Sequence, residues 1–476
     1  MGAPEASTRP SSPIPPALSP PPIHVGLLLA FYTLEAAGLS CAMVLNRYWD
    51  RLPPHTIRQN VFILAPLAAL LASGVYISVC YLRAGRSGTR RLNLTLATNL
   101  LAVAGLLVAG ETAVRVFSRL TPLGSSFAGT LLLPRSWDHV KARNAELLKH
   151  APSNISYFVS DSLLGWAVGR SRRSADGLYL SSAEGLRSPR SGMAYADHPS
   201  SHRIAIVGDS YTFGLEVPFH ESWGFQLERA LGDEFAVLNF GVDGYGVDQA
   251  YLRYDRDVRP WRPTLTIFGF VQHDLYRSLS VYNFVTFPEW GFPFSKPRFT
   301  LKAGTLELLN APVIGPSDIF AKQSVTDLPF IGYDAGYNPD AWRWHAYYSS
   351  RLLRFLVSRF PRWPPLDPEV GDEALRRINA ELLLAFTRRA AAEGTVPLVV
   401  YLPSRNDFWT GQDLSSKDSV LAVLHRAGVH YLDLTSCIGE LGPEKPFLPG
   451  RRHYSAEGNA AVARCLLPAV RHDLQR

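Results

Sequence analysis

Cysteine is scarce in this sequence, and lysine is rare beside arginine. Four cysteines in 476 residues are too few for a disulfide-stapled scaffold. The net charge of +7 comes almost wholly from arginine. Zinc-ligand spacing, aromatic–basic repeats and helix-turn-helix patterns are all missing, which argues against a nucleic-acid-binding protein. We therefore assign the positive charge to loops and membrane flanks. A hydrophobic content of 47% is enough to fill a sizeable core.

Residues 1–22 lack the apolar residues that a core needs. They are rich in proline, serine and alanine and are predicted to form a disordered tail. The stretch holds a single arginine, and no small-residue cleavage site follows soon after it. A secretory signal peptide is therefore not indicated.

Three long apolar runs follow, over residues 25–45, 61–82 and 92–110. Each is long enough to cross about 30 Å of hydrocarbon. A buried helical hairpin of a soluble domain is the alternative, but three successive runs bounded by arginines favour transmembrane helices over residues 23–120. Glu35 inside the first run is interpreted as a neutral carboxyl packed between helices or a functional acid.

The arginines around these runs bear on the membrane orientation. Lysine is absent from this region, and the arginines divide equally, five on each side. The densest group, within residues 83–91, lies in one very short loop, where the positive-inside rule holds best. This predicts a multi-pass protein with everything after residue 120 outside the cytoplasm, either periplasmic or at the cell surface.

Beyond a connecting segment at residues 121–200, predicted strands and helices alternate. The strands cover residues 204–207, 235–238, 265–270, 397–401 and 429–432. The helices cover residues 221–231, 247–258, 373–393, 419–427 and 456–470. This alternation predicts a parallel sheet with helices on both faces.

The predicted α/β domain, residues 201–476, carries an insertion at about 277–371. Residues 298–302 and 305–309 alternate about Ala303-Gly304 and predict a hairpin. The aromatic residues of the insertion line a substrate groove or form its own core, and both readings stay open at this point. They include Trp290, Trp342, Trp344, Tyr347 and Tyr348.

The stretch RIAIVGDSYTFG, residues 203–214, places one serine directly after a buried strand. Gly208-Asp209-Ser210 ends the apolar run, and open α/β sheets place their sites at the carboxyl ends of strands. A serine on a strand-to-helix turn can act as a nucleophile, with backbone N–H groups nearby for an oxyanion. An ordinary βα turn would show the same three residues, so the motif alone decides nothing.

Three further blocks follow in a consistent order: NFGVDGYG at 239–246, FGFVQHD at 268–274 and RRHYSAEGN at 451–459. With the GDS stretch, they resemble the SGNH, or GDSL, hydrolase superfamily, in a membrane-anchored bacterial form. The resemblance covers about residues 203–277 and 395–470. It implies a flavodoxin-like three-layer α/β/α sandwich and a serine ester hydrolase that needs no cofactor or metal.

The resemblance also implies roles for single residues. Ser210 is the expected nucleophile and His453 the expected base. The Ser210 N–H and Gly244 are expected to bind the oxyanion, although Gly241 and Gly246 lie close enough to leave the second assignment open. Candidate supporting residues are Asp209, Asp274 and Gln272.

The chain departs from the family pattern at two positions. The third block usually ends in Asn-Asp, but this chain has His273-Asp274; an imidazole N–H can also donate, so His273 is the expected third oxyanion donor. The last block usually has aspartate three residues before the histidine, where this chain has Gly450. His453 is therefore expected to lack a carboxylate there. A backbone carbonyl would fix its tautomer instead, and Asp433 is a distant candidate.

Cys437 and Cys465 lie in the last part of the chain. Outside the cytoplasm they either bridge the final strand and helix or remain separate. Cys41 and Cys80 fall in apolar runs and are interpreted as packing residues.

Three functions fit these observations. The favoured one is a membrane-anchored serine esterase that removes O-acyl groups, chiefly acetyl, from an extracytoplasmic carbohydrate or lipid. The second is an O-acyltransferase acting on a cell-surface polysaccharide, which would need a membrane acyl-donor partner because three helices look too few for an acyl-CoA channel. The third is a degenerate member that binds glycan without catalysis, to which His273 and Gly450 point. The expected partners are the lipid bilayer and an acylated substrate, with no nucleic acid.

Overall fold

The computed structural model describes residues 76, 79, 83, 86–149, 157–288, 290–359, 371–409 and 413–475. The chain divides into two compact units. One comprises Met1–Ser118, Phe127–Thr130 and Ala346–Arg362. The other comprises Arg119–Ser126, Leu131–His345 and Trp363–Arg476 and holds every candidate site residue.

The strands and helices are numbered here in chain order. The strands are β1 (Arg119–Thr121), β2 (Gly124–Phe127), β3 (Thr130–Leu131), β4 (Phe158–Asp161), β5 (Gly165–Val168), β6 (His202–Val207), β7 (Phe235–Asn239), β8 (Leu265–Phe270), β9 (Arg298–Lys302), β10 (Thr305–Leu309), β11 (Val396–Tyr401) and β12 (Tyr431–Asp433). The helices are α1 (Arg86–Phe117), α2 (Trp137–Lys149), α3 (Ser210–Phe213), α4 (Trp223–Leu231), α5 (Val247–Arg253), α6 (Gln272–Arg277), α7 (Asn283–Thr286), α8 (Pro316–Phe320), α9 (Arg351–Arg359), α10 (Asp372–Ala392), α11 (Ser415–Arg426), α12 (Thr435–Gly439) and α13 (Ala456–Asp473). Single 3₁₀ turns include Tyr195–Asp197, Phe219–Glu221 and Arg405–Phe408.

A five-stranded parallel sheet in the order β12-β11-β8-β6-β7 forms the centre of the second unit. Counted along the chain, its strands lie in the order 2-1-3-4-5, which is the flavodoxin-like arrangement. The direction of winding reverses between β6 and β8, and ligands bind beyond the carboxyl ends of strands at such a reversal. The predicted parallel α/β fold is confirmed.

The strands alternate their side chains between two cores, which makes the domain three-layered. Ile204 and Ile206 of β6 pack with α4 and α13 on one face. Ala205 and Val207 pack with α5 and α10 on the other. All four are fully buried, because a sheet covered by helices on both faces has no solvent-facing side.

Most predicted elements form within a few residues of their expected bounds. The hairpin β9–β10 pairs antiparallel as expected, with Arg298 opposite Leu309. The last strand, expected over 429–432, begins only at Tyr431. The reason is that Val429 still belongs to the C-terminal cap of α11. Gly428 has a left-handed backbone conformation, and the Val429 N–H donates to the Leu424 carbonyl at 3.0 Å.

The insertion builds its own apolar core together with α2. Trp137 of α2 packs there against residues of the insertion such as Phe284, at a ring distance of 6.2 Å. Trp342 joins this core, so the core reading holds for it, whereas Trp344 is 62% exposed. Tyr347 and Tyr348 belong to the other unit.

The described part of the first unit contains α1 and α9. Glu111 of α1 accepts hydrogen bonds from the backbone N–H groups of Arg351 and Leu352, at 2.9 and 2.8 Å, and so caps α9. The first apolar run, with Glu35 and Cys41, lies outside the described residues, as do Cys80 and nearly all of the second run. The third run lies within α1. No helix in the described ranges has the length and apolarity that a bilayer span requires.

Cys437 and Cys465 form a disulfide, with their Cα atoms 6.2 Å apart. Of the two alternatives left open by the sequence, the structure has the bridge. It joins α13 to α12, the short helix after the last strand, rather than to the strand itself.

Candidate active site

Ser210 lies at the winding reversal, where β6 ends. It is the first residue of α3, so its N–H has no partner within the helix. Asp209 caps the helix by accepting the Tyr211 N–H at 2.9 Å, which leaves the Ser210 N–H available. The Ser210 side chain is buried and its hydroxyl reaches Asp209 Oδ2 at 3.2 Å.

His453 meets this hydroxyl from the far end of the chain. Its Nε2 lies 2.9 Å from Ser210 Oγ, as a general base requires. The loop before α13 is held in place because the Tyr211 hydroxyl donates to the Arg452 carbonyl at 2.7 Å. The Tyr211 ring also packs 5.1 Å from the imidazole. The structure thus brings the two predicted catalytic residues together.

Gly450 offers no carboxylate, as expected, but the expectation that a backbone carbonyl would fix the His453 tautomer is wrong. Glu216 Oε2 lies 2.9 Å from His453 Nδ1, which completes a Ser-His-Glu chain. The hydrogen bond to His453 holds the pKa of Glu216 below its usual value, against the opposing effect of burial. Arg451 Nη1 approaches the other carboxylate oxygen at 3.3 Å. The carboxylate beside His453 therefore comes from the loop after Ser210 and not from the loop before His453.

Neither the position of Gly450 nor Asp433 supplies a carboxylate to His453. Gly450 has φ +67°, a conformation that an aspartate would adopt only with strain. Asp433 pairs with Lys417 Nζ at 3.0 Å and accepts the Thr435 N–H at 2.9 Å. A backbone carbonyl is not needed at Nδ1, because the Glu216 carboxylate occupies that position.

The geometry separates the three glycines of the second block. The Gly241 N–H donates to Asn239 Oδ1 at 2.9 Å, and the Gly246 N–H approaches Gln249 Oε1 at 3.4 Å. Among the hydrogen bonds of the described residues, none uses the Gly244 N–H. Gly244 is the third residue of a turn closed by the Tyr245 N–H, with φ +80°, a value that favours glycine. It is the one of the three with a donor left for an oxyanion.

His273 lies at the start of α6, beyond the carboxyl end of β8. Burial, together with the positive charges of Arg277 and Arg452, lowers the pKa of His273 to about 4. The imidazole is therefore neutral near pH 7 and carries one N–H. Within the described residues no hydrogen bond engages the ring. Donation to a substrate oxygen is thus chemically open to it.

The supporting candidates divide between two roles. Arg277 Nη1 bonds Asp274 Oδ1 at 2.6 Å, Asp209 Oδ2 at 3.1 Å and the Tyr245 carbonyl at 3.2 Å. One guanidinium thus ties together the segments that follow β6, β7 and β8. Burial and the charge of Asp209 raise the pKa of Asp274 well above its usual value. Gln272 instead donates one of its two amide N–H groups to the Asp413 carbonyl at 2.7 Å.

Sequence reasoning missed Glu216 and Arg277. Arg277 carries a usable signal, since it stands three residues after Asp274 on one helix face. The guanidinium carbon of Arg277 lies 4.9 Å from the centroid of the Trp290 ring. Glu216 carries no comparable signal, because nothing in its spacing from Ser210 distinguishes it from a surface glutamate.

No group of three or more His, Cys, Asp or Glu side chains suited to a metal ion occurs in the described part of the chain.

Comparisons with known proteins give a limited result. No protein-family model matches the sequence, and no curated protein matches it. A lipolytic G-D-S-L family protein from Veillonella parvula is similar at 12% identity, with 56% of this chain and 97% of that chain covered and a TM-score of 0.29. A carbohydrate acetylesterase family member from Sinorhizobium meliloti is similar at 14% identity, with 58% and 100% covered and a TM-score of 0.25. Similarities this low carry no argument about the activity of this chain.

Replacing Glu216 by glutamine tests the acid. Glu216→Gln keeps the shape but removes the charge that stabilises the imidazolium, so kcat should fall roughly 10³- to 10⁴-fold. The pKa of Glu216 is lowered from its ordinary 4.5, so its ionised form stabilises the fold above that value. The contribution is lost as pH falls through the folded pKa. The difference in unfolding midpoint between wild type and variant should therefore vanish in acid.

The matched control is Glu221→Gln, on the same stretch but away from the base, with His220 Nε2 at 3.9 Å. It should change kcat by less than about twofold. Equal activity of Glu216→Gln and wild type would remove Glu216 from the mechanism.

His273 is tested by two replacements. If its N–H binds the oxyanion, His273→Asn should keep kcat within about tenfold of wild type, whereas His273→Ala should lose about 10²- to 10³-fold. Because the pKa of His273 is about 4, the pH–rate profiles of wild type and His273→Asn should share one shape above about pH 5. The exposed His220→Ala serves as the control. An alanine variant as fast as wild type would place the oxyanion hole elsewhere.

Proposed function

We propose that this protein is a serine ester hydrolase of the SGNH type. The observation that carries the proposal is the continuous hydrogen-bonded chain from Ser210 Oγ through His453 to Glu216, with 2.9 Å at each side of the imidazole. The four sequence blocks that resemble the family support it, since each contributes a residue to this place in the fold.

The reaction proceeds by covalent catalysis. His453 Nε2 takes the Ser210 proton while Oγ bonds to the acyl carbon, and Nδ1–H donates to the Glu216 carboxylate. The former carbonyl oxygen becomes an oxyanion that accepts hydrogen bonds from the Ser210 N–H, the Gly244 N–H and His273. His453 then protonates the leaving alcohol as the ester C–O bond breaks. A water then attacks the acyl carbon while His453 takes its proton, and the imidazolium returns that proton to Ser210 Oγ as the acyl–Oγ bond breaks and the acid leaves.

The proposed substrate is an O-acyl ester, chiefly acetyl, on an extracytoplasmic carbohydrate or lipid. Trp166 and Phe292 pack against the oxyanion turn, within 3.4 and 3.8 Å of where a Gly244 side chain would begin. The Cys437–Cys465 bridge supports an oxidising compartment. The apolar runs of residues 25–45 and 61–82 support a multi-pass membrane anchor.

Labelling and hydrolysis test the proposal together. The wild-type protein should cleave an aryl acetate and react with a fluorophosphonate probe. Ser210→Ala should do neither, because no hydroxyl remains at the position facing His453. Ser222→Ala is the control and should label like wild type, because the hydroxyl of this buried serine donates to the Phe219 carbonyl at 2.6 Å. Equal labelling of wild type and Ser210→Ala would refute the proposal.

An acceptor assay then separates hydrolysis from transfer. An acetylated oligosaccharide is offered with and without an unacetylated acceptor, and free acetate is measured against the transferred ester. Hydrolysis predicts that acetate release is unchanged by the acceptor. Transfer that outpaces release would assign the chain to the acyltransferases instead, and the absence of both reactions would favour a glycan-binding protein.

A further inference from the structure

Arg187 is a fully buried arginine whose charge is not matched by a carboxylate. It lies in the segment before β6, and its side chain is 0% exposed. In the described part of the chain it forms no ion pair; its guanidinium instead donates to three backbone carbonyls. Nη1 reaches the carbonyls of Phe213 and Gly214, and Nη2 reaches that of Val217. Burying an unpaired cation is costly, so an arrangement that retains one needs a reason.

The three carbonyls belong to one loop, residues 213–217, and this loop carries Glu216. Glu216 itself has φ +70°, a left-handed conformation that is strained for a residue with a side chain. Such a conformation persists only where the surroundings over-determine it. Arg187 supplies that constraint, because it donates hydrogen bonds to carbonyls on both sides of Glu216, those of Phe213 and Gly214 before it and that of Val217 after it.

Tyr179, from the same upstream segment, makes the remaining contact. Its hydroxyl accepts the Glu216 N–H at 2.9 Å. Its ring and that of Phe213 lie 5.2 and 4.6 Å from the Arg187 guanidinium carbon, so two aromatic faces flank the cation. Burial lowers the pKa of Arg187 to about 10, which still leaves it charged near pH 7.

We propose that Arg187 and Tyr179 are positioning residues that hold the Glu216 carboxylate within reach of His453 Nδ1. The proposal rests on the proposed function. It assigns a role to the segment before β6. The hydrogen bonds of Arg187 and Tyr179 described above reach the loop of Glu216 and neither Ser210 nor His453. Without these hydrogen bonds, the loop relaxes from its left-handed conformation and the carboxylate moves off the imidazole.

Lysine is the informative replacement for Arg187. It keeps the positive charge, but its single ammonium cannot span carbonyls on two sides as the planar guanidinium fork does. Arg187→Lys should therefore lower kcat about tenfold and leave KM within about twofold, since the substrate does not touch it. If the carboxylate moves off the imidazole, the acidic limb of the pH profile of kcat/KM for Arg187→Lys should shift from its wild-type position towards the position it has in Glu216→Gln.

A double-mutant cycle on the full-length protein decides the matter. Arg187→Lys is measured alone and in the Glu216→Gln background. If Arg187 acts through Glu216, the second background should show less than about a twofold further loss of kcat. A similar fold-loss in both backgrounds means a general structural role and overturns the proposal. An Arg187→Lys variant as active as wild type overturns it too.

Two controls and a second variant keep the test decisive. Arg253→Lys alters another buried arginine, which pairs with Asp257 at 2.8 Å and does not touch the loop, and should have equal effects in both backgrounds. Tyr157→Phe removes a hydroxyl that bonds the Leu180 carbonyl at 3.1 Å and should leave kcat unchanged. If Arg187→Lys fails to fold, Tyr179→Phe replaces it in the cycle, with the same outcomes. Failure of the proposed function is separate, since wild type would then neither label nor hydrolyse.

Discussion

The hydrogen bond between His453 Nδ1 and Glu216 is the interaction on which the rest of the site depends. At 2.9 Å it fixes which imidazole nitrogen carries the proton, and so leaves Nε2 free to face Ser210. It also joins the loop after the first block to the last block, across 237 positions of the chain. The loop between α3 and α4 therefore does more than connect two helices: it carries the charge that the base needs.

A second constraint is the buried charge beneath the nucleophile. Arg277 meets Asp209 and Asp274, which follow two different strands of the sheet. Removing either carboxylate would leave a poorly compensated buried cation, so the turns at the strand ends are locked to each other. Two buried arginines therefore hold the loops of the site. Arg277 binds the carboxylates next to Ser210, and Arg187 binds backbone carbonyls of the loop that carries Glu216.

Much of the sheet could be predicted, because β6 and β8 are apolar runs whose alternate side chains are buried on both faces. Ser210 and His453 could be predicted since each stands in a block of fixed order. The acid could not, because the expected place for it holds Gly450 and a loop glutamate has no periodicity to mark it. Its position depends on Arg187, whose contacts with residues 213–217 arise only on folding. The predicted start of β12 was wrong for a local reason, because the Val429 N–H caps the end of α11.

The most direct measurement of the central claim is proton NMR of the imidazole in protein labelled with ¹⁵N-histidine. A hydrogen bond from His453 Nδ1–H to an ionised carboxylate shifts that proton far downfield. The account predicts such a nitrogen-bound resonance near neutral pH that disappears in Glu216→Gln and persists in Ser210→Ala, whereas any signal from His430 beside Asp473 should be unchanged in both. Absence of the His453 resonance from the wild type, or its survival in Glu216→Gln, would show that Glu216 does not orient the base.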